Sequence, residues 1–571
     1  MKLARRILLI GLALMLVFPC AFASVPDYLH VDQIPLVTEP ITLKIAVMAH
    51  DNTTNPVDTW DYLWLTEELG INVELEYFYK AARDESVSLM MASGELPDII
   101  MAASFTASEL VRYGDAEGLL LDLAPYLNEE NAPNITALFD ERPSLKKELS
   151  TSEGKIYSLG WVTDTSPARS FRMFYNYDWL EKLDMEVPTT LDEFIEMLRT
   201  FKASADILGV DEVIPFGGNY ARYNATYLIQ NALGYNLTMN YSNQKSHETD
   251  IMLRNGEIVL PCYDREVFPT YIEILHTMHE EGLMEKDYYT LDKDTTKAHV
   301  AAGIYGVFSE VPGIYSSLEY GSEWFGGIPL TSEFNDTPFW PNYTGQTIGG
   351  FVVSAKTQYP ELCVALADNI FDPEYSDFFG NGPSVNQPEY FLGKTTGWYL
   401  DTNSFEKISQ SYLDKADQYS HFNYWRYENI TCWYPASLGI DDGEPGVVVD
   451  ENGKVYEFFH KPTGDTLMER AKVRKECTSV DEQYQVSQLN SWGLYVTDEF
   501  SPTVCYFDEE TTLRIDELKA LITEHASHEI AKFVTGERPL SERDAYFDEL
   551  QKLGADEYVQ YYADYYEALN S

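Results

Sequence analysis

The alternation of strand-like and helix-like segments near the start of the chain constrains its fold most. Residues 41–48 form a β-rich apolar run, residues 60–69 a helical segment, and residues 71–78 a second strand with alternating apolar side chains. A helix around 85–91 and a third strand at 98–101 follow. Strands joined by helices pair in parallel through right-handed crossovers, so this order predicts an α/β fold.

Two polar loops follow strands of this predicted sheet. One begins with His50, Asp51 and Asn52, and the other covers residues 102–106. Ligands of a parallel sheet bind beyond the carboxyl ends of its strands. We therefore predict that Asp51, Asn52 and Phe105 line a binding cleft, with ordinary connecting loops as the alternative.

The first 23 residues have the pattern of a signal peptide. Basic residues precede an uncharged run over 7–18, and Ala21 and Ala23 frame a cleavage site. The mature protein is therefore predicted to be exported. Cys20 opens a second route, membrane tethering through a lipid. Because Pro19 stands where a lipoprotein signal requires a small residue, release after Ala23 is favoured, and tethering stays an alternative.

Charge and cysteine content exclude several classes of function. A formal net charge of −52 repels phosphate backbones, so we exclude nucleic acid as a partner. The cysteines beyond the leader are Cys262, Cys363, Cys432, Cys477 and Cys505. They form no CxxC pair and no cluster with histidine at metal-ligand spacing. We expect mostly free buried thiols, at most one or two disulfides, and no metal or cofactor.

Sequence motifs of enzymes are missing. The chain has no GxSxG, HExxH, Walker A or GxGxxG pattern. A glycosidase needs two carboxylates beside the scissile bond, but among 92 acidic residues the candidates are too many to be informative. We expect a binding protein without catalytic residues, and an exported polysaccharide-active enzyme stays an alternative.

Several stretches, in a fixed order along the chain, resemble one protein family. They are residues 91–100 (MASGELPDII), 175–183 (YNYDWLEKL), 187–194 (VPTTLDEF), 280–284 (EEGLM) and 536–541 (GERPLS). These stretches are similar to those of the extracellular solute-binding proteins of carbohydrate ABC importers, specifically the long type common in Gram-positive bacteria.

This resemblance implies a two-lobe, periplasmic-binding-protein-like (class II) α/β fold with an interlobe cleft and a hinge. The first lobe is expected at 24–165 plus about 305–375, and a helix-rich second lobe at about 166–304 plus 376–571. A carbohydrate, either a sugar or an oligosaccharide, is expected between the lobes of a monomer. ABC importer permease subunits in the membrane are expected to recognise the closed form. A peptide or another solute stays an alternative ligand.

Many members of the resembled family carry a calcium loop, and this chain departs from it. The corresponding stretch is residues 201–215, in which only the closing half of that pattern survives. Ile207 and Leu208 stand where oxygen ligands are needed. Calcium takes about six to eight oxygen ligands, so we predict no calcium at this loop.

Sugar binding favours aromatic faces and charged hydrogen-bond partners. We rank Trp161, Arg169 and Arg172 first, because the resemblance implies that they lie at the passage between lobes. An interior anchor for the tryptophan and surface ion pairs for the arginines are the alternatives. The other candidates are Asn219, Tyr220, Tyr223, Glu310, Trp340, Trp398, Trp425 and Trp433.

Overall fold

The computed structural model describes residues 25–31, 33–49, 59–163, 172–218, 220, 225–237, 248–310, 324–341, 346–372 and 504–570, with shorter pieces between 376 and 499. The strands are β1 Thr42–Ala49, β2 Asn72–Tyr79, β3 Ile99–Met101, β4 Val162–Thr163, β5 Arg172–Asn176, β6 Ile214–Phe216, β7 Met252–Arg254, β8 Glu257–Val259, β9 Tyr305–Glu310, β10 Trp324–Gly326, β11 Phe351–Val353, β12 Ala436–Ser437, β13 Val447–Val449 and β14 Val455–Glu457.

The α-helices are α1 Trp60–Leu63, α2 Arg83–Ser93, α3 Ala107–Leu110, α4 Pro133–Glu141, α5 Pro143–Leu149, α6 Tyr177–Lys182, α7 Leu191–Ala203, α8 Ala205–Leu208, α9 Tyr227–Ala232, α10 Phe268–Glu280, α11 Lys293–Ala301, α12 Pro360–Ile370, α13 Glu509–Thr535, α14 Arg543–Lys552 and α15 Ala555–Leu569. A π-helical turn, Trp64–Glu68, continues α1, so the predicted helix at 60–69 is present as two segments.

The first sheet has the strand order β11-β3-β1-β2. β1 pairs in parallel with β2, from Thr42 opposite Asn72 to Ala49 opposite Tyr79, and with β3 on its other side. β11 joins β3 in the antiparallel direction. The predicted α/β start with parallel strands is confirmed, and the sheet is completed by a strand from far along the chain.

Helix α12 follows β11 and is bound to the same lobe by a buried carboxylate. Asp368 is fully buried and accepts hydrogen bonds from the Ile135 N–H at 2.8 Å and the Asn134 N–H at 3.3 Å, at the N-terminal end of α4. Burial raises the pKa of Asp368 to about 6, although these donors pull it downward. The first lobe therefore depends on residues that follow the whole second sheet in sequence.

The second sheet has the strand order β10-β5-β9-β6. β9 pairs with β5 and β6, and the Phe308 ring stacks on Phe174 at 5.5 Å and meets Trp324 edge-on at 4.7 Å. The prediction that the first lobe includes the chain from about residue 305 is wrong for β9 and β10. The apolar pattern of a strand does not show which strands it pairs with. Here the contacts of Phe308 with Phe174 and Trp324 lie within the second sheet.

The C-terminal helices pack mainly on the second lobe. Buried side chains of α13, such as Ile522 and Phe533, share one apolar cluster with Tyr271 and Leu275 of α10. Before α13, the Tyr506 hydroxyl reaches the first lobe and donates to the Leu149 carbonyl oxygen at 3.0 Å. Although α13 has 27 residues, no helix in the described part of the chain is both long and apolar enough to cross a membrane.

Three of the five cysteines beyond the leader lie in the described ranges, and all three are free. Cys262 and Cys363 are buried, and burial raises the pKa of each thiol above its usual value. Cys505 is partly exposed. Cys432 and Cys477 lie outside the described residues.

Candidate functional site

The carboxyl ends of β6 and β9 lie side by side at one edge of the second sheet. β6 pairs in parallel with β9, whereas β5 runs antiparallel to β9, so that Arg172 lies opposite Glu310 in the backbone register. The loop after β6 stays on the sheet, because the Gly217 N–H donates to the Val307 carbonyl oxygen at 2.7 Å. This edge brings together candidates that are distant in sequence, namely Arg172, Glu310 and the loop that leads to Tyr220.

The buried side chain of Tyr305 packs against the start of that loop, at Gly217. A Cβ at Gly217 would come within 2.5 Å of the Tyr305 ring. The Tyr305 hydroxyl donates to Glu285 Oε2 at 2.9 Å, and His299 Nδ1 lies 3.1 Å from both oxygens. Burial, followed by the adjacent Glu285 carboxylate, raises the pKa of Tyr305 far above its usual value, so the hydroxyl keeps its proton. The loop therefore lies on a fixed polar support.

Tyr220 lies at the same edge, but its hydroxyl is engaged inside the lobe. It donates to Glu248 Oε2 at 2.8 Å, while the Tyr220 N–H donates to the Tyr288 carbonyl oxygen at 2.9 Å. The buried Glu248 carboxylate also accepts from Tyr271. Tyr220 thus anchors the loop, and its partly exposed ring lies 5.2 Å from that of Tyr289.

The edge of the first lobe begins where β3 ends. Ala102 and Ser104 have left-handed backbone, with φ of 58° and 51°, which is uncommon for residues with a Cβ. The Ala102 N–H donates to the Gly350 carbonyl oxygen at 2.6 Å, and the Phe105 N–H to that of Gly349 at 3.1 Å. Strained backbone of this kind clusters at binding sites. The segment 102–105 is therefore a candidate ligand contact through its main chain.

Trp161 lies beside the same stretch, 347–350. The Trp161 N–H donates to Thr347 Oγ1 at 2.9 Å, and the Thr347 N–H donates to the Trp161 carbonyl oxygen at 2.8 Å. A Cβ at Gly160 would lie only 1.4 Å from the Thr347 carbonyl oxygen, so glycine alone permits this approach. The Trp161 side chain is partly exposed beside this stretch, and its role as a ligand contact stays a prediction.

Two exposed tyrosines at the end of β2 were not identified from the sequence. Tyr77 is 48% exposed, and its ring centroid lies 6.0 Å from that of Tyr79 in an edge-on arrangement. Both lie at the carboxyl end of a parallel strand, with Tyr79 opposite Ala49. In the sequence, Tyr77 continues the alternation that begins at Val73, a pattern typical of a strand face that packs on the core. Its place at the carboxyl end of a parallel strand makes it a candidate for the cleft.

Comparison with known proteins is consistent across sequence and structure. No protein-family model matches the chain. The chain is 22% identical to the fructooligosaccharide ABC transporter substrate-binding protein FusA of Streptococcus pneumoniae, over 96% of this chain and 94% of that protein. It is 24% identical to the lipoprotein LipO of Bacillus subtilis, over 45% of this chain and 49% of that protein.

Solved structures of low sequence identity share the architecture. An HMO-binding solute-binding protein of Bifidobacterium longum infantis has a TM-score of 0.63 at 18% identity, covering 93% of this chain and 99% of that one. FusA in complex with kestose has a TM-score of 0.56 at 19% identity, with the same coverage. The chain has the two-lobe fold of the extracellular solute-binding proteins. Its homologues and structural neighbours are solute-binding proteins of carbohydrate ABC transporters.

Within this solute-binding fold, two predicted ligand residues are core residues. Phe105 is 1% exposed and packs between the Tyr113 ring, 6.4 Å away, and the Arg83 guanidinium, 5.4 Å away. Trp340 is fully buried, with its ring 5.6 Å from that of Tyr227. The prediction that these rings line the cleft is wrong, because both turn into apolar clusters. The candidates that lie outside the described residues are Asp51, Asn52, Arg169, Asn219, Tyr223, Trp398, Trp425 and Trp433.

The loop that corresponds to the family's calcium site is closed by protein groups. After α7, residues 205–208 form the short helix α8, in which Leu208 is buried. The Lys182 ammonium donates to the Leu208 carbonyl oxygen at 2.7 Å. In the part of the chain that the structure describes, no group of three or more His, Cys, Asp or Glu side chains is arranged to hold a metal ion. That this loop binds no calcium stays a prediction.

Proposed function

We propose that this protein is the exported substrate-binding component of an ABC importer and captures an oligosaccharide between its lobes. The observation that supports the proposal is the edge of the second sheet, where the backbones of Arg172 and Glu310 lie opposite each other and Gly217 is bonded to Val307 of β9. Guanidinium and carboxylate groups form charge-assisted hydrogen bonds, which suit the hydroxyl groups of a sugar. The names of FusA and the Bifidobacterium protein, which refer to fructooligosaccharide and HMO, support this ligand class.

The first lobe supplies the aromatic half of the proposed site. Trp161, Tyr77 and Tyr79 present partly or largely exposed rings at its ligand edge. Aromatic faces suit the apolar face of a sugar ring, while the polar edge of the second sheet suits its hydroxyl groups. A ligand with both kinds of surface binds better when the two edges approach each other.

Ligand capture occurs by closure of the two lobes, and it requires no covalent chemistry. The backbones of Val162 and Gln346 form an isolated bridge, while β5 and β10 belong to the second sheet. We expect the hinge at this bridge. A ligand that contacts both edges shifts the population toward the closed form by its differential affinity, and the membrane permease recognises that form.

Export places the protein outside the cytoplasmic membrane. The signal-peptide pattern of residues 1–23 supports this step, and LipO is named as a lipoprotein. We expect mature protein that begins at Ser24. Intact-mass measurement of protein from the native host distinguishes this product from one that begins at a lipid-modified Cys20.

A thermal-shift screen against oligosaccharides and peptides tests the ligand class. A ligand at about 100 times its Kd stabilises the folded protein by about 2.7 kcal/mol. We expect at least one oligosaccharide to raise Tm and peptides to have no effect. Stabilisation by peptides alone would contradict the proposal, and release of shorter sugars from a labelled oligosaccharide would indicate an enzyme.

A further inference from the structure

The left-handed segment at the end of β3 is held from one side by a single arginine. Arg83 Nε donates to the Ala103 carbonyl oxygen at 2.8 Å, and Nη2 donates to that of Ser104 at 3.4 Å. The Arg83 side chain is 15% exposed, and its guanidinium lies 5.4 Å from the centre of the Phe105 ring. Its contacts thus cover the strained backbone between Ala102 and Phe105.

A carboxylate fixes that arginine in turn. Arg83 Nη1 and Nη2 donate to the two oxygens of Glu109 at 2.6 and 2.7 Å. Glu109 Oε2 also accepts from the Thr106 N–H at 2.8 Å, and the Glu109 N–H donates to Thr106 Oγ1 at 3.2 Å. These bonds form the capping box of α3. The start of α2 and the start of α3 are therefore joined through Arg83.

The opposite side of the segment is held by the stretch before β11. Gly349 has φ of 71°, and a Cβ there would come within 2.1 Å of the Phe105 carbonyl oxygen. Left-handed backbone is unfavourable for alanine and serine, so the segment keeps this shape because both sides constrain it. Arg83, unlike Gly349, does not belong to the stretch of chain next to the passage between lobes.

We propose that Arg83 is a positioning residue that holds the main chain of residues 102–104 in the shape that receives the ligand. This inference rests on the proposed function, because it assigns a role within the same cleft. Arg83 acts through backbone carbonyl groups and not by contact with the sugar. Loss of the Arg83 guanidinium releases the strained segment and lowers the affinity for the ligand, while the rest of the first lobe stays folded.

Arg112 offers a matched control. Its guanidinium pairs with Glu117 at 2.9 Å and lies 5.3 Å from the centre of the Tyr113 ring, yet no described contact joins it to residues 102–105. Arg83 also pairs with Asp84 at 3.0 Å, and Arg112 with Glu509 at 3.7 Å, so Arg83→Met and Arg112→Met each remove a guanidinium from two carboxylates and one ring. Arg83→Lys keeps the charge but replaces the planar guanidinium with a single ammonium group.

The first measurement is hydrogen exchange of the unliganded protein, which does not depend on any sugar. We expect Arg83→Met to speed exchange of the Ala102 and Phe105 amides at least tenfold, and Arg112→Met to leave it unchanged. Isothermal titration with the oligosaccharide found by thermal shift should show affinity at least tenfold weaker for Arg83→Met and intermediate for Arg83→Lys.

Unchanged exchange in Arg83→Met, or affinity within twofold of the wild type, would overturn the proposal. Equal losses in Arg112→Met would overturn it as well. If Arg83→Met does not fold, hydrogen exchange and isothermal titration are measured on Arg83→Lys instead. If the wild type binds no oligosaccharide, the proposed function fails, whereas the exchange experiment still decides whether Arg83 holds the segment.

Discussion

Arg172 and Glu310 lie opposite each other in the antiparallel register of β5 and β9. Arg172 opens β5 and Glu310 closes β9, so a basic and an acidic residue share one end of the second sheet. Cross-strand neighbours on one face lie close enough for their side chains to act on one ligand. This relationship makes the pair the first target for mutation.

Removal of either charge should weaken binding without loss of fold. A hydrogen bond to a charged group contributes about 1.5 to 3 kcal/mol, so Arg172→Met and Glu310→Gln should each raise Kd roughly 10- to 100-fold. Isothermal titration measures the effect. The control is Arg265→Met, which breaks an ion pair with Asp548 of 2.8 Å and should leave Kd unchanged. Wild-type affinity in both variants would contradict the assignment of the site.

The ring of Tyr77, not its hydroxyl, should matter. Stacking of an aromatic ring contributes about 0.5 to 1.5 kcal/mol, so Tyr77→Ala should raise Kd roughly 2- to 10-fold, while Tyr77→Phe should not. Leu89→Ala removes another exposed apolar side chain of the first lobe, 64% exposed on α2, and should have no effect. Equal affinity of Tyr77→Ala and wild type would remove this tyrosine from the site.

Asp368 should make stability depend on pH in an unusual direction. Its pKa in the folded protein is raised to about 6 by burial, above the ~3.9 of an exposed aspartate. The folded state therefore binds the proton more tightly, and the free energy of unfolding falls as pH rises from about 4 to about 7. This group should contribute a fall on the order of 3 kcal/mol over that range.

Urea titrations at several pH values test this contribution. In Asp368→Asn, the part of the pH dependence that Asp368 contributes should disappear. Asp211→Asn, at an exposed position before β6, serves as the control. Identical pH dependence in wild type and Asp368→Asn would show that the hydrogen-bond donors of α4 keep the carboxylate ionised.

Removal of divalent metal should leave the protein unchanged. The calcium-loop equivalent is closed by the bond from Lys182 to the Leu208 carbonyl oxygen. We therefore expect the same Tm and the same Kd with and without a chelator. A fall in Tm that added calcium reverses would show a metal site.

Gly160 should tolerate no side chain. A Cβ at this position would overlap the Thr347 carbonyl oxygen, whereas at Gly350 the nearest atom would be 3.4 Å away. Gly160→Ala should therefore lower the free energy of unfolding by about 3 kcal/mol or more, and Gly350→Ala by about 1 kcal/mol or less. Chemical denaturation measures the free energy of unfolding of both variants. Similar losses would mean that the backbone at Thr347 shifts to accommodate a side chain at position 160.

The parallel start of the fold could be predicted, because the periodicity of residues 41–101 is a local signal. The lobe of β9 could not, since the partners of Phe308 are Phe174 and Trp324, and pairing at long range leaves no mark within a strand. Local pattern therefore identified the elements, while aromatic packing decided which sheet each joined.

In the candidate site too, local pattern predicts some residues, whereas others depend on tertiary packing. Glu310 closes β9 and Tyr220 follows β6, so the rule for parallel sheets makes both residues candidates. Tyr77 and Arg83 were missed because an alternating tyrosine indicates a core position, and an arginine at a helix start indicates a solvated surface. Whether a ring is exposed or a guanidinium is enclosed depends on neighbours that the sequence does not specify.

The return of β11 and α12 to the first lobe determines the order in which an exported chain can mature. Phe351, Val353 and Asp368 complete a sheet and a helix cap whose other members lie before residue 142. A chain that emerges from its N-terminus can close the second sheet before it can finish the first. A chain stalled between these two steps would leave one edge of the buried strand β3 unpaired, because β11 covers that edge.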